Sequence, residues 1–118
     1  VILVVDDHVD TGYVAVRLLK HLGYDAVAVA GGQEALDYLR SETPKLIILD
    51  CHMPCVSGLD VLRAVRANAA LARVPVVMFS ADADNGDREV FHQLGINGWI
   101  VKASMDWENI AHFAKLYG

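Results

Sequence analysis

Apolar residues along this chain keep two rhythms in strict alternation. Val1 to Val5 is an unbroken apolar run, the pattern of a short buried strand. From about Val9 the spacing turns helical, with Val14, Leu18 and Leu22 expected on one face and Gly23 as the stop. Asp25 to Ala30 reads as a second strand. Gly31-Gly32 then leads into a helix through Ala35, Leu36 and Leu39 that closes before Pro44. Leu46 to Leu49 is again uninterrupted and ends in one acid, Asp50. Leu59, Leu62 and Val65 form the next helical stripe. Val74 to Phe79 predicts a fourth strand, Arg88 to Leu94 a short helix, Trp99 to Lys102 a fifth strand, and Asp106 to Tyr117 a last helix.

Strand and helix therefore alternate five times with no linker, repeat or low-complexity stretch. Right-handed crossovers make such a chain a parallel sheet with helices on both faces, an α/β doubly wound sandwich. Its 118 residues form one domain, 1–118, with a start inside a strand that suggests a piece of a longer chain. With 54% hydrophobic and 21% charged residues it belongs with globular proteins. No apolar run approaches the ~20 residues of a membrane span, so no membrane insertion is expected. A formal charge of −5 argues against direct nucleic-acid binding, which needs clustered Lys and Arg. Cys51 and Cys55 stand too close in sequence to staple a fold, and a reducing cytoplasm is the simpler expectation.

The chemistry gathers where strands end. Open α/β sheets keep their sites at the carboxyl edge. There the first strand delivers Asp6 and Asp7, the third Asp50, the fourth Ser80 and the fifth Lys102. An Asp pair after a strand often only caps the following helix. Three carboxylates at one edge are different, because each pair at ~5 Å and an effective dielectric of ~20 repels by about 3 kcal/mol. A cation or a held proton must offset that, and hard oxygen donors with room for water and phosphate suit Mg²⁺. Asp50 is also a possible nucleophile, since a carboxylate can form an aspartyl phosphate. Phosphoryl transfer asks chiefly for positioning and charge neutralisation, which Lys102 and the Ser80 hydroxyl would extend.

Other candidates weigh less. His8 and His52 flank the acids but are expected in solvent. Cys51, His52 and Cys55 lack a fourth zinc ligand, and strand alternation turns Cys51 away from Asp50. Gly31-Gly32 lacks the lysine of a phosphate loop.

Taken together, Asp6-Asp7, Asp50-Cys51-His52-Met53-Pro54 with Gly58, Ser80-Ala81 and Lys102 resemble the receiver domain of two-component response regulators. The resemblance covers essentially the whole chain. It implies a flavodoxin-like (βα)5 fold with strand order 2-1-3-4-5. It makes Asp50 the phosphoacceptor for a histidine kinase or histidine phosphotransfer protein, in a self-catalysed, Mg²⁺-dependent reaction and not as an enzyme. Asp7 and Asp50 would bind Mg²⁺ directly, His52 through its backbone carbonyl and Asp6 through water. Lys102 would contact the phosphate, Ser80 would swing onto it, and Trp99 would turn inward with Ser80. The family usually follows its lysine with proline, where Ala103 stands here. A cis bond costs roughly 2.5–4 kcal/mol before alanine, so a trans Lys102–Ala103 bond and a displaced Ala103-Ser104 loop are expected.

Two rivals stand beside this reading. A haloacid-dehalogenase-like phosphatase also uses a strand-end Asp and Mg²⁺, but carries a second Asp where His52 stands. A degenerate receiver acting purely as an interaction module would lose some of the five groups kept here. The face of the last helix with Trp107, Ile110, Ala111 and Ala114 reads as core. Phe113 and Tyr117, on another flank near the fifth strand, suggest a surface for an output domain or a homodimer.

Overall fold

The five apolar runs become five parallel strands, each followed by a helix. The computed structural model describes residues 1–80, 88–102 and 107–118, Trp107 in its backbone only. In chain order the elements are β1 (Ile2–Val5), α1 (Val9–His21), β2 (Ala26–Val29), α2 (Gly32–Leu39), β3 (Leu46–Asp50), α3 (Gly58–Ala67), β4 (Val76–Ser80), α4 (Arg88–Leu94), β5 (Gly98–Val101) and α5 (Trp107–Tyr117). The sheet runs β2-β1-β3-β4-β5 and every pair is parallel, the flavodoxin-like order expected. Expectations for Ala81, the Lys102–Ala103 bond, the Ala103-Ser104 loop, Asp106 and the Trp107 side chain lie outside the described residues.

The central strands are buried along their whole length, which is why their sequences are apolar without alternation. Successive side chains point to opposite faces and divide between two cores. Leu3, Val5, Ile47, Leu49 and Met78 meet Ala35, Leu39, Val61, Leu62, Val65 and Phe91 on the side of α2, α3 and α4. Ile2, Val4, Ile48 and Ile100 meet Ala15, Leu19, Ile110 and Ala114 on the side of α1 and α5. Each such Leu or Ile contributes about 1.5–3 kcal/mol when fully buried.

The phase of α1 differs from the expected one. The helix buries Gly12, Ala15 and Leu19, while Val14 and Leu22 are exposed and Leu18 only partly covered. Small residues face the sheet here, and a Cβ on Gly12 would stand at ordinary contact distance, 3.5 Å, from the Ala28 Cβ of β2. Gly23, at φ 96°, ends the helix as read from the sequence. Tyr24 N–H donates to the Leu19 carbonyl and Gly23 N–H to that of Lys20, a Schellman arrangement.

Two local devices hold the far side. Ser57 and Asp60 form a reciprocal capping box at the start of α3. The Arg66 guanidinium donates to the carbonyls of Gly95, Ala72 and Val74 at 2.7–3.1 Å, tying α3 to the approach to β4 and the end of α4. On α5, Ile110 and Ala114 are buried as expected. Phe113 stacks on Tyr117, and both pack partly buried against the core, so less apolar surface is free there than the sequence suggested. Leu116 is the exposed large apolar residue of that helix among those described.

Candidate functional site

Strand register does most of the assembly. Val5 pairs with Leu49, so Asp6 and Asp50 follow at the same level on neighbouring strands. Both continue the row of side chains that faces α1 and α5 (Ile2, Val4, Ile48), and both are almost wholly buried, at 1% and 3% exposure. Asp50 is paired with Phe79 on β4, and Ser80 with Val101 on β5. Lys102 thus starts two strands away and past the level of Asp50. Its side chain reaches back across β4, with Nζ 5.0 Å from the centre of the Phe79 ring. The ammonium ends 2.7 Å from Asp6 Oδ2 and 3.2 Å from Asp50 Oδ2.

Lys102 therefore bridges two carboxylates that would otherwise repel. One cation does not neutralise three acids. Burial pushes the Asp50 carboxyl up from 3.8 to about 6. Lys102 pulls it down, while the Asp6 charge and the close Asp7 carboxyl push it further up. Asp6 Oδ2, Asp7 Oδ1 and Asp50 Oδ2 are buried, the first and last sharing the Lys102 ammonium and Asp7 Oδ1 facing the His8 ring at 3.3 Å. One ammonium shared between two buried carboxylates, with a third acid beside them, leaves net negative charge that a further cation would offset. Ligand atoms of Asp6, Asp7, His8 and Asp50 all lie within 4.8 Å of one another. A cluster of hard oxygens with spare lone pairs fits Mg²⁺, which binds through a few carboxylates and keeps several waters.

The remaining expected residues take different places. Ser80 is fully buried at the end of β4, on the row that faces α2, α3 and α4. His52 is exposed, but its backbone N–H donates to Asp50 Oδ1 at 3.3 Å and so orients the carboxylate. Cys51 is buried in the core away from the acids, as strand alternation required, and Cys55 is an exposed free thiol. Trp99 is half-buried, edge-on to Phe91 and under the Arg88 guanidinium.

His8 is the residue whose place sequence reasoning missed. Its ring is 69% exposed as expected, yet Nδ1 stands 3.2 Å from Asp6 Oδ1 and 3.3 Å from Asp7 Oδ1. Its backbone N–H also donates to Asp6 Oδ1 at 2.8 Å. The signal available was adjacency alone: a residue directly after two strand-end acids has little room to leave them.

Close backbone approach fixes the loop after β3. A Cβ on Gly58 would overlap the Asp50 carbonyl oxygen and lie 2.9 Å from Cys51 Cα, so the start of α3 presses directly on the end of β3. Gly58 N–H donates to the Cys51 carbonyl at 3.2 Å. Between them Cys55 takes φ 68°, a left-handed conformation unusual for a residue with a side chain.

Comparison with known proteins agrees with this geometry. The family model described as the response regulator receiver domain matches residues 2–113. The chemotaxis protein CheY of Pseudomonas aeruginosa is 38% identical over 102 residues, 86% of this chain and 82% of that protein. A probable transcriptional regulator, ycf27 of Porphyridium aerugineum, is 36% identical over 101 residues, again 86% of this chain. The match spans only 41% of that relative's length. Among solved structures, the receiver domain of the sensor histidine kinase PA1611 from Pseudomonas aeruginosa superposes with a TM-score of 0.87 and 29% identity, covering 98% of this chain and 94% of that one. That structure has a magnesium ion coordinated in its active-site cleft. Because the family match runs from β1 into α5 and takes in every strand end described above, this chain belongs to the receiver domains of response regulators.

Proposed function

We propose that this receiver accepts a phosphoryl group on Asp50 from a phosphohistidine of a histidine kinase or phosphotransfer protein, in a Mg²⁺-dependent reaction, and changes conformation in response. The observation that carries the reading is the buried Asp50 carboxylate, level with Asp6 and bridged to it by Lys102. An Asp50 carboxylate oxygen attacks phosphorus as the bond from phosphorus to the imidazole nitrogen breaks. The freed imidazole then takes a proton from solvent. Asp7, Asp50 and the His52 carbonyl would hold Mg²⁺, with Asp6 through water, and the ion would supply positive charge to the phosphoryl oxygens. Lys102 is already poised, because forming the acyl phosphate removes the Asp50 carboxylate charge and lets the ammonium turn to the phosphoryl oxygens.

The phosphoryl group places about −1.5 to −2 of charge at the sheet edge, where the Asp50 carboxylate had carried −1. Ser80 donates its hydroxyl to a phosphoryl oxygen. Trp99 lies on the same side of the sheet as Ser80, so a shift of Ser80 changes the space open to the indole. Output through α4, β5 and α5, to a second copy or a further domain, follows from that movement. The domain acts as a phosphoacceptor, catalysing only its own phosphorylation and dephosphorylation.

Incubation with acetyl phosphate and Mg²⁺ tests the reading. Stable phosphate on Asp50, lost in Asp50→Asn and Asp7→Ala and reduced less in Asp6→Ala, supports it. Rapid multiple turnover would mean a phosphatase, and no modification an interaction module. Full phosphorylation in excess chelator would refute the metal dependence.

A further inference from the structure

We infer that His8 supplies a nitrogen ligand to the cation site, so that this receiver holds first-row transition metals such as Ni²⁺ and Co²⁺ far more tightly than an all-oxygen site would. The inference rests on reading the acid cluster as a cation site. Two observations carry it. The first is the cluster itself: ligand atoms of Asp6, Asp7, His8 and Asp50 lie within 4.8 Å of one another, and among the described residues the three carboxylates have the single Lys102 ammonium between them. The second is the position of the imidazole. Neighbouring ligands of an octahedral ion with bonds of about 2.1 Å stand ~3.0 Å apart. His8 Nδ1 lies 3.3 Å from Asp7 Oδ1, close to the spacing that donors to one ion adopt, and is held there by a 3.2 Å hydrogen bond with Asp6 Oδ1.

The chemistry of the donor decides which ions gain. Mg²⁺ prefers oxygen and dehydrates reluctantly, so it gains little from an imidazole. Ni²⁺ and Co²⁺ accept imidazole readily and rank above Mn²⁺ at mixed nitrogen and oxygen sites. The ring is largely solvent-exposed, and its side-chain partners among the described residues are the acids themselves. His8 also sits at the N-cap of α1 without a side-chain cap bond, leaving the ring free of that task.

The test is calorimetric titration of the intact chain with Mg²⁺ and separately with Ni²⁺, for the wild type, His8→Ala and His8→Asn. His21→Ala, at the opposite end of α1, controls for loss of any histidine. Removing His8 should weaken Ni²⁺ by at least about tenfold and leave Mg²⁺ within about twofold. Co²⁺ should add a strongly shifted exchangeable imidazole N–H signal to the proton NMR spectrum of the wild type, absent in both His8 variants. Equal losses for the two ions, unchanged Ni²⁺ binding, or no shifted signal would overturn the inference. Tighter Mg²⁺ binding without His8 would also overturn it, making the ring a competing counter-charge. No Mg²⁺ binding even to the wild type would instead refute the cation site itself.

Discussion

Replacing Asp50 by Asn should stabilise the metal-free domain at neutral pH. The change removes a charge, keeps the size of the side chain and retains an acceptor for the His52 N–H. In the fold Asp50 holds its proton up to about 6 instead of 3.8, so the native state binds that proton more tightly than the unfolded chain does. Below about pH 4 both states are protonated and the group costs nothing. As the pH rises towards 6 the unfolded chain ionises freely while the fold resists. Above it the folded domain carries the full penalty, about 3 kcal/mol at 1.36 kcal/mol per pH unit. Lys102 is not stranded by the change, because Asp6 Oδ2 remains 2.7 Å away. Urea unfolding followed by circular dichroism in chelator, from pH 3.5 to 8, gives the comparison. The variant should exceed the wild type by up to about 3 kcal/mol above pH 6, and the gap should close towards pH 4. Saturating Mg²⁺ should narrow the gap from the other side, adding ~2.7 kcal/mol to the wild type at a hundred times the dissociation constant. A less stable variant at pH 7.5, or a gap independent of pH, would refute the charge argument.

Three further outcomes follow from the same geometry. Gly58→Ala places a Cβ on the Asp50 carbonyl, so it should cost about 1–3 kcal/mol or more in urea unfolding and slow phosphorylation by roughly 100-fold through misplacement of Asp50; unchanged rates would contradict the close approach. Lys102→Met removes the group that pulls Asp50 down, so carbon-detected NMR should find Asp50 titrating higher than in the wild type; a lower value would show that the bridge is not formed in solution. Cys55→Asn should raise stability by about 0.5–1 kcal/mol, because asparagine tolerates the left-handed backbone at φ 68° better than cysteine; a loss would mean the loop adopts another conformation.

What the sequence made legible was set by local rules. Apolar runs placed the central strands because burial on both faces leaves no polar alternation to disguise them. Asp6, Asp7, Asp50 and Lys102 could be placed at one edge because a strand end delivers its next residues there, whatever surrounds it. The phase of α1 was hidden because hydrophobicity is a poor guide where Gly12 and Ala15 face the sheet and Val14 does not. The double contact of Lys102 was hidden too, since it depends on the stagger between β3, β4 and β5 and on the passage over Phe79. His8 was read as a solvent-exposed neighbour of the acids, and its contacts were missed because an exposed ring can still turn one nitrogen back to them. The overlap that forbids a side chain at Gly58 exists only once α3 is docked on β3.

The central claim is that Asp50 is the phosphoacceptor and that a divalent cation is needed for its modification. An aspartyl phosphate is an acyl phosphate, and borohydride reduces it to homoserine, which marks the acceptor permanently. The decisive measurement is a peptide map by mass spectrometry of the chain treated with acetyl phosphate and Mg²⁺, then with borohydride. Homoserine should be found at position 50 alone, and none should form when chelator replaces Mg²⁺. Homoserine at Asp6 or Asp7, or equal yield at position 50 in chelator, would contradict the account.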